Sequence, residues 1–445
     1  MTYDFDLFII GAGSAGLAAA KQAAQYGVKV AIAEQQELGG CCVNRGCIPK
    51  KLMVFAADFA AAMQEAEAYG WEPCTANFHW QKFQHKRDRE LQRLRQVQKD
   101  SLTQAGVHIL QGHTQFVDPQ TVQVNRQRYT ARHVLLAVGG KPIKPDISGI
   151  EYTLTSDDFF NLQQLPKRIA IIGGGYIGVE FASVLRGFGC EVTIMNHEAC
   201  ILEGFDDDVR SRVRDGLIQR GIQSLCNTTT NHITQTSDGI CLQLTGDCPE
   251  TLVVDQVLCA TGRAPNLEGL GLDAAGVEFD PKAIAVDEHS RTSQPHIYAV
   301  GDCTSRKQLT PVARTEGQNA VDAMFGSQVA PLDYHLVPSA VLSRPEVASV
   351  GLTESQARDK FDQVNSHCKE FIPLRDRLTP HAQPSFIKVV VDQASDRLLG
   401  IHMVGEHAAE IVQSVAIALH ANVSYHQLMH TIGIHPSSGE ELLSL

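Results

Sequence analysis

The stretch FDLFIIGAGSAG at residues 5–16 decides how this chain begins to fold. Its first half is apolar and typical of a strand, and its second half is a glycine turn that leads into an alanine-rich segment expected to be helical. Glycines at this spacing let the backbone approach a pyrophosphate at the N-terminus of the following helix. The residues of this turn are Gly11, Gly13, Ser14 and Gly16. The stretch therefore predicts a dinucleotide-binding unit.

The residues after the turn complete the pattern. The helix is expected to reach about Gln25, and the apolar run from Val28 to Ala33 predicts a second strand. That strand ends on Glu34, whose carboxylate can accept a hydrogen bond from a ribose hydroxyl group. The order of strand, turn, helix, strand and acidic residue favours a functional site over a chance glycine triplet.

The same pattern returns in the stretch RIAIIGGGYIG at residues 168–178, where the spaced glycines are Gly173, Gly175 and Gly178. A helix is expected to follow to about Gly187, and then a strand from Glu191 to Met195. A duplicated unit without a ligand is the alternative. Two complete fingerprints instead predict two dinucleotides bound at once, which suits hydride relay from a nicotinamide to a flavin.

Further strand exits carry glycine or aspartate at Gly139, Gly262 and Asp302. Their order predicts that the first domain is interrupted by the second and then resumes. The sequence therefore predicts an α/β fold with two Rossmann-like dinucleotide-binding domains and a C-terminal α+β domain that has no nucleotide signal. The expected ranges are 1–143 with 267–331, then 144–266, and finally 332–445.

Length and composition limit the possible functions. With 445 residues, of which 43% are hydrophobic and 20% charged, the chain is expected to form two or three globular domains. Its formal net charge of -12 disfavours nucleic acids and anionic membranes as bulk partners. No signal peptide and no membrane span is expected, so we expect a cytoplasmic protein.

Two closely spaced cysteines follow the first fingerprint in the stretch GGCCVNRGCIPKK at residues 39–51. Four residues separate Cys42 from Cys47, and if the segment opens a helix, the two thiols can meet and the helix N-terminus would lower the pKa of a thiol. A metal site is the rival, but no second pair of ligands lies nearby, and a structural disulfide is the other alternative. The pattern favours a redox-active dithiol without a metal, and Cys41 is interpreted as a bystander.

The C-terminal stretch IHPSSGEE at residues 434–441 combines an imidazole with carboxylates. Disulfide exchange needs an acid for the departing thiolate and a base for the return step. His435 is the candidate for this task, with a carboxylate of this stretch to orient its ring.

The cysteine stretch, the two fingerprints and the C-terminal His-Pro stretch together resemble the class I pyridine nucleotide–disulfide oxidoreductases, over essentially the whole chain. Within that family CVNRGCIPKK is similar to glutathione reductases, whereas dihydrolipoamide dehydrogenases and mercuric reductases usually have Pro-Ser-Lys where this chain has Pro49-Lys50-Lys51. The resemblance implies an FAD domain, an NAD(P) domain, a dimerisation domain and a homodimer that reduces a glutathione-type disulfide with NAD(P)H.

By this resemblance Cys42 would attack the substrate and Cys47 would make the charge-transfer contact with the flavin. His435 and Glu440 would act on the dithiol of the partner subunit. On the nicotinamide side, Lys50 would pair with Glu180 and Tyr176 would cover the pocket. Asp302 would bind the ribityl-phosphate region of FAD. The remaining candidates for cofactor binding are Gly11, Gly13, Ser14, Gly16, Glu34, Gly139, Gly173, Gly175, Gly178, Gly262 and Thr310.

The chain departs from glutathione reductases where those enzymes bind the nucleotide. Two arginines that hold the 2′-phosphate of NADPH correspond to His197 and Glu203, and Glu203 would repel a phosphate. Gly178 gives the glycine pattern that is commoner with NAD. However, Asn196 occupies the position where an NAD enzyme would carry a carboxylate. Both NADH and NADPH remain possible.

The glutathione anchors also differ. Lys21, Gln98 and Gln318 replace an arginine, a tyrosine and a second arginine, whereas Ser14 and Thr310 match. Arg314, one turn before Gln318, is the candidate for a displaced cation. Cys41 and Ser437 stand where threonine is usual. Glutathione disulfide is nevertheless the expected substrate, because the cysteine stretch is similar to that of glutathione reductases. The alternatives are a modified or smaller thiol, a dihydrolipoamide dehydrogenase activity, or a flavoprotein that senses redox state without turnover.

Overall fold

The structure is a computed structural model that describes residues 2–72, 77–247, 249–326, 330–380 and 382–445. The chain divides into two compact units. The first consists of Met1–Leu52, Gln81–Ile143 and Arg263–Leu332, and the second of Met53–Trp80, Lys144–Gly262 and Asp333–Leu445. Because the second unit contains both the middle and the C-terminal segments, the division into three domains stays a prediction.

The first half of the chain alternates helices with strands. Residues 5–142 form β1 (Phe5–Ile10), α1 (Ser14–Gln25), β2 (Val30–Glu34), α2 (Gly40–Asn44), α3 (Cys47–Glu65), a 3-10 helix (Ala66–Tyr69), α4 (Trp80–Gln104), β3 (His108–Gln111), β4 (Thr114–Asp118), β5 (Thr121–Val124), β6 (Gln127–Leu136) and β7 (Gly140–Pro142). Residues 150–259 form a 3-10 helix (Ile150–Tyr152), β8 (Leu154–Thr155), α5 (Ser156–Phe159), β9 (Arg168–Ile172), α6 (Tyr176–Gly187), β10 (Glu191–Met195), α7 (Asp207–Gln219), β11 (Gln223–Leu225), β12 (Thr228–Thr236), β13 (Gly239–Gly246), β14 (Thr251–Val254) and β15 (Gln256–Cys259).

The second half returns to the first unit and then ends in the second. Residues 263–325 form β16 (Arg263–Pro265), α8 (Leu272–Ala275), β17 (Phe279–Asp280), β18 (Ala283–Ile284), β19 (Ile297–Ala299), a 3-10 helix (Gly301–Cys303) and α9 (Thr310–Phe325). Residues 334–443 form a 3-10 helix (Tyr334–Leu336), β20 (Ser339–Val341), β21 (Val347–Gly351), α10 (Glu354–Arg358), β22 (Val364–Phe371), a 3-10 helix (Leu374–Leu378), β23 (Ser385–Asp392), β24 (Arg397–Val404), α11 (Ala408–His420), α12 (Tyr425–Met429) and a 3-10 helix (Glu440–Leu443).

A mostly parallel sheet forms the centre of the first unit, with strand order β3-β2-β1-β6 and with β19 also paired to β6. β6 extends further and pairs with β5, which pairs with β4, both antiparallel. Leu7 and Ile9 of β1 pack into one core with α1, and Phe8 and Ile10 pack into the core on the other face. Burial on both faces explains why β1 is an uninterrupted apolar run.

The second unit contains a separate parallel sheet of order β11-β10-β9-β15-β8 and an antiparallel sheet of order β12-β13-β14. Its C-terminal part is a five-stranded antiparallel sheet of order β20-β21-β24-β23-β22. Val412 and Ala416 of α11 pack against Val389 and Ile401 of this sheet. These arrangements confirm the predicted α/β class with two Rossmann-like parts and a C-terminal α+β part.

One predicted boundary is wrong by two residues. β2 begins at Val30 rather than Val28, and its pairing with β1 begins at Leu7 opposite Val30. The carbonyl oxygen of Lys29 still accepts from the Asp6 amide at 2.9 Å, but its backbone amide donates to the Asp6 carboxylate at 2.8 Å rather than to a backbone carbonyl oxygen.

Candidate active site

The first glycine turn has the close backbone approaches that its sequence predicts. Gly11 has a φ of +103°, and a Cβ atom there would lie 2.4 Å from the carbonyl oxygen of Ala137. A Cβ atom at Gly16 would lie 2.0 Å from the carbonyl oxygen of Gly11. Only glycine fits both positions, so the turn can bring its amides and the start of α1 close to a pyrophosphate.

Two carboxylates of the first unit follow strands of its central sheet. Glu34 ends β2, and Asp302 lies in the 3-10 helix after β19. Glu34 accepts hydrogen bonds from the amides of Ala12 and Gln36, both at 2.8 Å, and so fixes the turn to the end of β2. Burial raises the pKa of Asp302 above its usual value, while the positive charge of Arg263 opposes this shift. The tight glycine turn, Glu34 and the half-buried Asp302 fit a dinucleotide with ribose or ribityl hydroxyl groups.

The dithiol segment packs directly on the glycine turn. The amide of Gly39 donates to the carbonyl oxygen of Ala12 at 2.9 Å. Gly40 has a φ of +59°, and a Cβ atom there would lie 2.6 Å from the Cα atom of Gly13. The two glycines thus let the backbone that carries the thiols lie against the nucleotide-binding turn.

The two thiols belong to different helices. Cys42 lies in the short α2, whereas Cys47 is exposed and is the first residue of the 19-residue α3. The pKa of Cys42 is raised above its usual value, chiefly because its thiol shares a hydrogen bond with the Cys47 sulfur and also because it is partly buried. The prediction of a lowered pKa therefore does not hold for Cys42. The helix N-terminus, which favours negative charge, lies at Cys47.

Thr310 joins this pair in the first unit. Its hydroxyl oxygen lies 3.6 Å from the Cys47 sulfur, at the start of α9. Its hydroxyl group also lowers the pKa of Cys42, which partly offsets the effect of Cys47. The contact of Thr310 with the thiols was not predicted, and its expected role in binding the cofactor stays a prediction. Cys41 lies close enough for its charge to raise the pKa of Cys42 slightly.

Sequence reasoning missed the residues that hold the dithiol loop. The Asn44 amide group donates to the carbonyl oxygens of Gly40 at 2.9 Å and Leu38 at 3.1 Å. The Arg95 guanidinium in turn donates to the Asn44 side-chain oxygen at 2.7 Å. Asn44 stands between the two cysteines in the sequence, which was a usable signal, but nothing in the sequence indicated Arg95.

Two of the candidate substrate residues, Lys21 and Gln98, contact each other directly. The Lys21 ammonium donates to the Gln98 side-chain oxygen at 2.9 Å. Burial lowers the pKa of Lys21, and the positive charge of Arg314 lowers it further. Arg314 and Gln318 are exposed one turn apart on α9, and Ser14 begins α1. Lys21 and Arg314 thus form a positively charged pair in the first unit.

The second glycine turn repeats the geometry of the first. Gly173 has a φ of +117°, and a Cβ atom there would lie 2.4 Å from the carbonyl oxygen of Ala260. A Cβ atom at Gly178 would lie 2.0 Å from the carbonyl oxygen of Gly173, whereas Gly175 faces open space. Gly262, with a φ of +130°, follows β15 in the sequence, and Gly139, with a φ of +65°, follows β6.

Asn196 takes the structural place that Glu34 has in the first unit. Its side-chain oxygen accepts from the Gly174 amide at 3.3 Å, and its amide group donates to the Cys200 carbonyl oxygen at 2.9 Å. Asn196 therefore ties the glycine turn to the loop that follows β10. On that loop His197 and Glu203 are both exposed, and His197 lies 3.3 Å from the Glu198 carboxylate.

The residues expected near the nicotinamide lie on α3 and α6. Tyr176 is the exposed first residue of α6, and Glu180 lies one turn later, where only 2% of it is exposed. Glu180 accepts a hydrogen bond from the backbone amide of Leu342 at 2.8 Å. Lys50 is buried on α3 in the first unit. Pairing of Lys50 with Glu180 stays a prediction.

The C-terminal pair is assembled as its sequence predicts. His435 Nδ1 lies 3.0 and 3.1 Å from the two Glu440 carboxylate oxygens, and 82% of the His435 side chain is exposed. The Ser437 amide and His435 lower the pKa of Glu440, so the carboxylate stays ionised and can hold the ring. Nε2 of His435 is then the atom left to exchange a proton.

No group of three or more histidine, cysteine, aspartate or glutamate side chains among the described residues is arranged to hold a metal ion. None of the helices in the described part of the chain is both long and apolar enough to cross a membrane.

Comparison with known proteins identifies the family. Residues 5–317 match the family described as pyridine nucleotide-disulphide oxidoreductase, and residues 337–445 match the dimerisation domain of that family. A glutathione reductase of Nostoc sp. (strain PCC 7120 / SAG 25.82 / UTEX 2576) is 45% identical over 458 residues, which cover all of both chains. A glutathione reductase of Burkholderia cepacia is 42% identical over 445 residues, which cover 100% of this chain and 98% of the relative.

A third relative is more distant. The chloroplastic/mitochondrial glutathione reductase of Pisum sativum is 38% identical over 455 residues, which cover 100% of this chain and 82% of the relative. The match extends over both glycine turns, the dithiol segment and the C-terminal pair, and this confirms the resemblance read from the sequence. The chain belongs to the pyridine nucleotide-disulphide oxidoreductases and is a flavin-dependent disulfide reductase that uses NAD(P)H.

Proposed function

We propose that this enzyme binds FAD at the first glycine turn and reduces a glutathione-type disulfide at Cys42 and Cys47. The observation that carries the proposal is the thiol pair itself: Cys42 shares a hydrogen bond with Cys47, and Cys47 begins a long helix. The first glycine turn would hold an FAD, whose chemistry would be to pass the electron pair of a hydride from NAD(P)H to the Cys42–Cys47 disulfide.

The thiols then act in sequence. The Cys42 thiol first gives up its proton to a base, and its sulfur then attacks one sulfur of the substrate, which breaks the substrate disulfide, forms a mixed disulfide with Cys42 and releases the first thiolate. The Cys47 thiolate attacks the Cys42 sulfur and releases the second thiolate, so that the Cys42–Cys47 disulfide forms again. Two electrons leave the dithiol, and two protons convert the released thiolates into thiols.

His435 is the proposed proton donor for the first departing thiolate. Glu440 holds the ring through Nδ1 and leaves Nε2 available, and the exposure of His435 suits action on another molecule. Because the C-terminal part matches a dimerisation domain, we propose a homodimer in which His435 serves the dithiol of the partner subunit. Arg95 and Asn44 keep the dithiol loop in place during the reaction.

We propose glutathione disulfide as the substrate and the Lys21–Arg314 pair as a site for its carboxylates. Three relatives that match the whole chain are named glutathione reductases. The resemblance expects arginines where this chain has Lys21 and Gln318. Lys21 and Arg314 can replace them, because a carboxylate that binds near both cations would relieve their mutual repulsion. We further propose that His197 and Glu203 set the preference between NADH and NADPH, and that the enzyme works in the cytoplasm.

A rate matrix tests this function. The purified enzyme would be assayed with NADH and NADPH, each against glutathione disulfide, lipoamide and small cystine derivatives. The proposal predicts the highest kcat/KM with glutathione disulfide for whichever nucleotide is preferred. A higher value with lipoamide would instead indicate a dihydrolipoamide dehydrogenase, and a higher value with a cystine derivative would indicate a smaller thiol.

A further inference from the structure

A loop of the C-terminal part holds one face of α6. The Leu342 amide donates to the Glu180 carboxylate at 2.8 Å, and the Arg344 amide donates to the Ser183 hydroxyl oxygen at 2.7 Å. Glu180 and Ser183 are neighbours one turn apart, and both are buried. The Leu342 amide thus fixes the Glu180 carboxylate directly, and the Arg344 amide holds the same face of α6 one turn later.

The side chain of the same loop residue reaches a second helix. The Arg344 guanidinium binds the Asp58 carboxylate with two parallel hydrogen bonds, from Nε to Oδ1 at 2.8 Å and from Nη2 to Oδ2. A third bond, from Nη1 to the Ser343 carbonyl oxygen at 2.9 Å, fixes the guanidinium plane. Both partners are half-buried, so the pair is better shielded from solvent than an ordinary surface ion pair.

The two helices meet directly beside this ion pair. A Cβ atom at Gly187, at the end of α6, would lie 2.7 Å from the Cβ atom of Ala57, the neighbour of Asp58 on α3. Asp58 in turn lies eight residues after Lys50 on α3, which is about 12 Å along the helix axis. Within the second unit, Arg344 therefore connects α6, which carries Glu180, with the part of α3 that contains Asp58.

We propose that Arg344 is a positioning residue for the step in which NAD(P)H reduces the flavin. The inference rests on the proposed roles of Lys50 and Glu180 at the nicotinamide, and it adds the device that sets the position of α6 against α3. Misplacing a reacting group by about 1 Å can cost on the order of a hundredfold in rate. The oxidative half of the cycle uses Cys42 and Cys47 and should not depend on Arg344.

The test compares Arg344→Gln with Arg375→Gln. Arg375 also joins α3 to the C-terminal part, through Glu65 at 3.3 Å and Glu406 at 2.6 Å. In the described part of the chain, none of its hydrogen bonds or ion pairs involves α6. It is therefore a matched control for the loss of an arginine that contacts α3. Arg344→Lys keeps the charge but not the parallel bonds.

Two measurements on the flavin-loaded enzyme are needed. Rapid mixing gives the rate of flavin reduction by NAD(P)H and, separately, the rate at which the reduced enzyme reacts with disulfide. Hydrogen exchange of the backbone amides of α6 reports whether this helix has been released. We expect Arg344→Gln to slow flavin reduction at least about tenfold, to leave the disulfide step within twofold and to speed exchange in α6. Arg344→Lys should recover part of the rate, and Arg375→Gln should resemble the wild type in both measurements.

Unchanged flavin reduction in Arg344→Gln would overturn the inference. So would an equal loss in both half-reactions, or the same loss in Arg375→Gln, because either result would mean general loosening. If Arg344→Gln does not fold, Asp58→Asn breaks the same pair from the other side and carries the same expectation. Glu180→Gln tests the proposed role of Glu180 separately from that of Arg344. If it leaves flavin reduction intact, the proposed role of Glu180 fails, whereas slow reduction in Glu180→Gln alone contradicts only the role of Arg344.

Discussion

At the scale of single residues, the two thiols differ in their surroundings, and we propose that they differ in their roles. Cys42 is partly buried, and its raised pKa disfavours the thiolate form. Cys47 lies at a helix N-terminus, which favours a thiolate. In Cys42→Ser we expect the Cys47 thiolate to form beside the flavin without reduction, and to give a long-wavelength charge-transfer absorption band at neutral pH.

The absorption spectrum of the oxidised protein, recorded across a pH titration, checks this prediction. Cys41→Ser is the matched control, because Cys41 is adjacent in the sequence but is not part of the proposed dithiol. It should show no band until the enzyme is reduced. Absence of the band in Cys42→Ser would reverse or remove the assigned roles of the two thiols.

His197 and Glu203 are a second pair of residues whose individual charges are expected to matter, here at the proposed nucleotide site. Glu203 and His197 are exposed on the loop after β10, at the two positions that the family resemblance assigns to recognition of the 2′-phosphate. Replacing both by arginine should favour NADPH, because each charge-assisted hydrogen bond to a phosphate is worth roughly 1.5–3 kcal/mol, or about ten- to hundredfold.

The ratio of kcat/KM for NADPH to that for NADH measures this effect. Glu203→Gln alone removes the repulsion without adding a donor, so it should move the ratio in the same direction by a smaller amount. If the ratio in the double arginine variant stays at the wild-type value, the 2′-phosphate is recognised elsewhere.

At the scale of elements, the dithiol segment is held in position by its close backbone packing on the first glycine turn. In Gly40→Ala the new Cβ atom would meet the Cα atom of Gly13 at 2.6 Å, which only a backbone shift can relieve. We expect the variant to retain less flavin after gel filtration and to have a lower free energy of unfolding.

Gly106→Ala is the matched control for the positive φ. Gly106 has a φ of +73° and no heavy atom within 4 Å of the added Cβ, so this variant has the backbone strain of about 1–2 kcal/mol without the collision. Equal flavin content in the two variants would show that the close approach to Gly13 does not matter.

The sequence predicted the elements whose signal is local. β1, β9, α6 and β10 have the predicted bounds because an apolar strand that is buried on both faces and ends in a glycine turn carries its own pattern. The supports of the site were not predictable in this way. Arg95 is 51 residues from Asn44, and Arg344 is 286 residues from Asp58, so these contacts depend on the tertiary fold. No periodicity or spacing rule reaches that far along the chain.

At the scale of the whole molecule, the proposed mechanism requires that two subunits share each active site. His435→Ala should then abolish disulfide reduction but leave flavin reduction by NAD(P)H, and electron flow to small dyes, nearly intact. A dye takes electrons from the flavin and needs no acid at the thiols, whereas general acid catalysis contributes about 10²–10⁴-fold to the disulfide step. Equal loss of dye and disulfide reduction would place His435 in a structural role.

The most direct test of the shared site uses mixed dimers. Subunits carrying Cys42→Ser, marked with one affinity tag, would be combined with subunits carrying His435→Ala, marked with another, and doubly tagged dimers would be isolated. Each mixed dimer would hold one site with both changes and one site with neither, so about half of the wild-type disulfide reductase activity should return, although neither parent is active. Mixed dimers of verified composition that remain inactive would contradict the account, because Cys42 and His435 would then have to act within the same subunit.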